Sequence, residues 1–124
     1  MMCMLAGLTI CAAAELGPEG LDALRWEARP VVVIADPDDP RLAEQLALFE
    51  ADAADMIERR NVVIVDTAPG SALRRRFGAD GFLVALIGLD GGVKLRSDAV
   101  TPPGRLEALI DAMPMRRREM RRGD

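Results

Sequence analysis

The sequence predicts an α/β domain: a central four-stranded mixed sheet that closes with a β-hairpin and carries helices on both faces. Three observations support this. Val31-Val32-Val33-Ile34-Ala35, Val62-Val63-Ile64-Val65 and Phe82-Leu83-Val84-Ala85-Leu86-Ile87 are apolar runs with no polar alternation, as in strands buried on both faces. A long amphipathic stretch separates the first two, so a helix crosses between parallel strands in the right-handed sense. Asp90-Gly91 follows the third run, and Val93 and Leu95 then alternate with Lys94 and Arg96, which predicts a tight turn and an edge strand with one wet face.

The chain has 124 residues, enough for one compact domain with a real core. Aromatic residues make up only 3%, so aliphatic side chains must fill that core, with three Phe and one Trp as anchors. The net charge of −4 argues against a nucleic-acid binder, which needs a basic face to displace counterions from phosphates, although the charge is uneven and the tail is locally basic. Histidine is absent, and with it the commonest general base and metal ligand.

In chain order, Met1–Ala14 is apolar apart from Thr9 and ends in Ala12-Ala13-Ala14, the pattern of a signal peptide cleaved after Ala14. The other reading of this segment is an N-terminal strand or buried helix. Cleavage leaves residues 15–124 as a single domain with a basic Met/Arg-rich tail, periplasmic or secreted; a retained N-terminus makes the protein cytoplasmic. Cys3 and Cys11, the only cysteines, both fall in the leader, so the mature domain has no thiol chemistry, disulfide or thiolate metal site. No later segment is long enough to span a membrane.

Leu21, Leu24 and Trp26 form a short amphipathic piece, with Trp26 expected to cover one end of the core. After the first strand, Asp39 is an N-cap and Pro40 suits the first helical position. The helix is expected to run to about Arg59, with Leu42, Leu46, Phe49, Ala53 and Met56 inward and an Asp55–Arg59 pair outward. Ser71 caps a short helix that Gly78 ends. Thr101 is expected to cap a last helix with Leu106, Leu109, Ile110 and Met113 on its buried stripe, ended by Pro114.

This order of elements is similar to the thioredoxin-like fold, with Gly78 to Lys94 as the closest local match. Asp80-Gly81 stands where such proteins carry a cis-proline. A more specific resemblance covers Leu21 to Arg122, to the family called domain of unknown function 4174. Its matching features are Arg25-Trp26 before Arg29, Asp39-Pro40-Arg41 with Gln45, Ile87-Gly88 with Asp90-Gly91-Gly92-Val93-Lys94-Leu95, and Asp111 to Met120. The resemblance implies a peroxiredoxin-like domain akin to those of secreted animal matrix proteins, and assigns its bacterial members no reaction.

In a thioredoxin-like protein the reactive cysteines follow the first strand, where this chain has Asp36-Pro37-Asp38-Asp39-Pro40. A carboxylate cannot cycle between thiol and disulfide, which argues against thiol–disulfide oxidoreductase activity. No cofactor or metal is expected. The first candidate surface is the tail: Met113, Met115, Arg116, Arg117, Arg118, Glu119 and Met120 mix adaptable apolar groups with charge, as partner-binding surfaces do. The partner would be a protein or an anionic ligand. The alternative is a non-thiol enzyme or anion-binding site at the strand ends, built from Asp36 and Asp66 with Arg74.

Overall fold

The computed structural model describes residues 4–5, 7–16 and 20–123. Only the backbone of residues 4, 5, 122 and 123 is described, so the Arg122 side chain expected on the tail, and Cys3 of the expected leader, lie outside the described residues.

The strands are β1 (Met4–Leu5), β2 (Leu8–Ala12), β3 (Arg29–Ile34), β4 (Asn61–Asp66), β5 (Leu83–Ile87) and β6 (Val93–Ser97). The helices are α1 (Pro40–Ala51), α2 (Ala53–Glu58), α3 (Ala72–Phe77), α4 (Pro103–Asp111) and α5 (Pro114–Gly123). The sheet order is β1-β2-β4-β3-β5-β6. As expected, β3 and β4 are parallel and β5 and β6 form an antiparallel hairpin; β5 also runs antiparallel to β3.

The expected count of four strands is corrected. β2 extends the mixed sheet to five by pairing in parallel with β4 from Ile10–Val63 to Ala12–Val65, and two-residue β1 folds back antiparallel on β2. Leu8-Thr9-Ile10-Cys11 has the β-branched, apolar character that the open side of β4 accepts, and Leu8 is fully buried against the core.

Strand alternation divides the core. Val31, Val33, Val63, Val84 and Leu86 meet Phe49 and Met56 of α1 and α2 and Leu106 and Ile110 of α4. Val32, Ile34, Ile64, Leu83 and Ala85 meet Leu21 and Phe77 on the opposite face. Because every one of these residues is inside, β3 and β5 could not alternate polar with apolar residues.

Four local expectations are revised. The long helix breaks at Asp52, which leaves helical geometry (φ −118°). Arg59 pairs with Asp111 at 2.9 Å rather than with the Asp55 carboxylate, giving Asp55 only a bond to its carbonyl. Pro102, not Thr101, is the N-cap of α4. Thr101 is instead held by buried Gln45, whose amide donates to the Thr101 carbonyl at 2.8 Å and accepts from its N–H at 2.7 Å. Trp26 does not cover the core: it has a left-handed backbone (φ 69°) and is 56% exposed. The short 3₁₀ helix Gly20–Leu24 buries Leu21 in that role.

Candidate functional site

Three places collect the chemistry. The first is the loop after β3. Asp39 caps α1 by accepting from the Arg41 N–H at 2.9 Å, and the Arg41 guanidinium folds back onto its carboxylate at 2.8 Å. That side-chain bond, reinforced by the backbone one, holds the Asp39 carboxyl below the usual range. Arg41 also lies 5.0 Å above the Phe82 ring and walls a cleft of about 680 Å³ with Asp80, Gly81, Arg96 and Asp98. Both partners of the helix start are thus used in folding the loop.

The second is the end of the parallel strands, where the structure brings Asp36, Asp66 and Arg74 together. Arg74 on α3 donates to the Ala35 carbonyl at 2.8 Å, to Asp36 Oδ1 at 3.3 Å and to the Ala68 carbonyl at 3.0 Å. Asp66 is buried and accepts from the Ala68 N–H at 2.9 Å and the Ser71 hydroxyl at 2.7 Å, while Ser71 caps α3. Asp66 and Arg74 therefore fasten the turn between β4 and α3, and exposed Asp36 lines an adjoining cleft of about 460 Å³ together with Arg74.

The third is α5 and its seat. Arg116, only 5% exposed, donates to Asp111 at 3.2 Å and to Glu58 at 3.1 Å, with Glu119 at 3.5 Å. Glu119 in turn accepts from both terminal nitrogens of Arg29 at 3.2 Å. Arg29 is fully buried and also donates to the Arg59 carbonyl at 2.9 Å. The Asp111 carboxyl is held below its ordinary range, first by Arg59 and then by Arg116. So Arg116 and Glu119 anchor the helix, Met113, Met115 and Met120 are half-buried, and Arg117 and Arg118 remain at the surface. The sequence showed Arg29 as part of a motif, but nothing in its strand context signalled that it is the buried partner of a residue ninety positions away.

Among the described residues, Asp52, Asp55 and Glu107 are the carboxylates close enough to share a cation, with oxygens within 4.8 Å of one another. Burial, followed by the hydrogen bond and charge of Asp52, raises Glu107 to about 7, so this carboxyl gains and loses its proton near neutrality. No helix among the described residues is long and apolar enough to cross a membrane.

A family model described as a domain of unknown function (DUF4174) matches residues 20–119. No curated protein matches. Among solved structures, a chloroplastic thioredoxin z is similar with a TM-score of 0.63 and 17% identity, over 86% of this chain and 94% of that one. A malarial protein is similar with a TM-score of 0.54 and 18% identity, over 68% of this chain and 96% of that one.

Proposed function

Because the chain belongs to the DUF4174 family of domains of unknown function and has a thioredoxin-like fold, we propose that it is a binding or structural module of the cell envelope that works without thiol chemistry. The observation that carries this is the loop after β3. Where the fold would place a reactive thiol, Asp39 sits as a helix cap locked to Arg41, and a carboxylate so engaged supplies neither a nucleophile nor an electron pair for disulfide exchange. Cys11 lies on β2, away from that loop, and is half-buried. The exposed Arg117 and Arg118 with Met115 supply a contact surface that costs the fold nothing to present.

Placement in the envelope is supported by the apolar run ending at Ala12-Ala13-Ala14 and by a family match that begins after it. This placement requires the mature domain to fold without β2, leaving β4 at the sheet edge.

An insulin-reduction assay with dithiothreitol tests the absence of thiol chemistry. The expected rate equals the uncatalysed one for wild type and Cys11→Ser alike; turnover that Cys11→Ser abolishes would refute the proposal. The mass of the mature protein tests the placement. A start at Glu15 is expected, and an intact Met1 in the soluble cytoplasmic fraction overturns it.

A further inference from the structure

The motif residues not absorbed by the folded loops converge at the end of the sheet away from Asp39. Arg25-Trp26, Arg29, the Asp90-Gly91-Gly92 turn with Lys94, and Met113 to Glu119 are distant in sequence. In space they line or border two adjoining hollows that share Leu89 and Met115.

The outer hollow, about 160 Å³, is lined by Trp26, Arg60, Leu89, Met115, Arg118 and Glu119. Two of its walls are unusual. Trp26 (φ 69°) and Arg60 (φ 61°) are the non-glycine residues with left-handed backbone among those described. Arg60 follows Arg59, the C-cap of α2, at the position where glycine is the usual and unstrained choice. The backbone conformation is enforced: the Trp26 N–H donates to the Leu89 carbonyl at 2.7 Å, and the Arg60 carbonyl accepts from the Arg29 N–H at 2.9 Å. The chain tolerates this steric cost and presents one large aromatic and one guanidinium side chain, both exposed, to the same space.

The charge of the hollow is one-sided. Glu119 is committed to Arg29 and Arg116, while Arg118 is exposed and Arg60 reaches Glu119 only at 3.9 Å. Behind it, the inner hollow of about 100 Å³ is lined by Arg29, Asp90 and Lys94 among others, with Lys94 paired to Asp90 at 3.0 Å. The Nε of fully buried Arg29 has no hydrogen-bond partner. Arg60 and Arg118 thus flank apolar Trp26, Leu89 and Met115 in the outer hollow.

We propose that this end of the sheet binds an acidic peptide segment of a partner protein: a carboxylate between Arg60 and Arg118, and a neighbouring apolar side chain on Trp26 and Met115. Planar guanidinium groups suit a carboxylate through paired N–H donors, and Trp, Arg and Met are the residues that concentrate binding energy at protein contacts. The net charge of −4 repels extended polyanions, so a single carboxylate flanked by apolar groups fits better than nucleic acid or an anionic membrane. This proposal rests on the reading of the domain as a binding module and names the kind of partner.

Trp26 is the only tryptophan, so its emission reports the site directly. The full chain would be titrated with three probes: acetylated, amidated Gly-Gly-Leu-Glu-Leu-Gly-Gly, its Glu-to-Gln counterpart, and acetyl-Gly-Gly-Gly-Leu with a free terminal carboxylate. A saturable blue shift is expected with one or both carboxylate probes, and which one responds shows whether the acid is internal or C-terminal. Affinity should fall about tenfold for the Gln peptide, and again by about tenfold for Arg60→Asn and for Arg118→Gln. Asn keeps the left-handed backbone accessible, so Arg60→Asn should unfold at the wild-type temperature. Equal binding of the Glu and Gln peptides, no response to any peptide, unchanged affinity in Arg60→Asn, or a shift only with phosphatidylglycerol vesicles would overturn the proposal. None of these outcomes would alter the insulin-reduction result.

Discussion

Glu107→Gln should stabilise the protein at about pH 8 and change it little near pH 4. Glu107 on α4 faces Asp52 at the break between α1 and α2. Asp52 Oδ2 and Glu107 Oε2 are both shut off from water without a partner other than one another, so two ionised groups would leave buried acceptors facing each other. A proton on Glu107 supplies the missing donor. Burial, then the Asp52 hydrogen bond and charge, raises this carboxyl from its ordinary 4.5 to about 7. Between these two values the folded state holds a proton that the unfolded state has lost. Stability therefore falls as pH rises through that window, and the loss is complete above about 7.

At about 1.36 kcal/mol per tenfold change in proton affinity, the full span is about 3 kcal/mol, and partial access to water reduces it to roughly 1–3 kcal/mol. Glutamine supplies a permanent donor to Asp52 and carries no charge, so this pH dependence should vanish. Urea unfolding at several pH values between about 4 and 8 measures it. The mutant minus wild-type difference should grow by roughly 1–3 kcal/mol across the window. A difference that does not vary with pH would show that Glu107 titrates normally, and would refute the reasoning.

Two further predictions concern folding. Glu119→Ala should cost about 3–5 kcal/mol, because it leaves the buried Arg29 charge without its carboxylate; the Arg29→Met, Glu119→Leu double variant should recover most of that loss in denaturant unfolding, and a double variant no more stable than the single one would contradict it. Gln45→Ala should cost about 1–3 kcal/mol by stranding the Thr101 N–H and carbonyl. It is read as a lower denaturation midpoint, and an unchanged midpoint would show that water replaces the amide.

The apolar runs, the Asp39 and Ser71 caps, the left-handed stop at Gly78 and the Asp90-Gly91 turn were legible because each depends on a few neighbouring residues. The additional strand was not, since Leu8–Ala12 lies in a run whose pattern favours a leader, and only its pairing with the open side of β4 makes it a strand. The helix break was also hidden: nothing in the local sequence marks Asp52 as the residue that leaves helical geometry. At the candidate sites, residue types were informative but their use was not. Asp66 and Arg74 both lie at the strand ends, where each holds the same turn, Asp66 through Ala68 and Ser71 and Arg74 through Ala68, Ala35 and Asp36. Arg116 and Glu119, which look like surface charges in the motif Met115 to Met120, are drawn inward by Arg29, Asp111 and Glu58.

The sequence by itself determined the layered α/β architecture, the parallel crossover, the hairpin and the lack of a thiol after the first long strand. These follow from hydrophobic period, turn chemistry and composition, which are local properties. Only the tertiary structure decided that Arg29 is buried beneath α5, that Glu107 is set against Asp52 so that its carboxyl is raised, and that Trp26 and Arg60 share one hollow. Burial and charge pairing between residues many positions apart are set by how the layers close on each other, and no window of the sequence contains both partners.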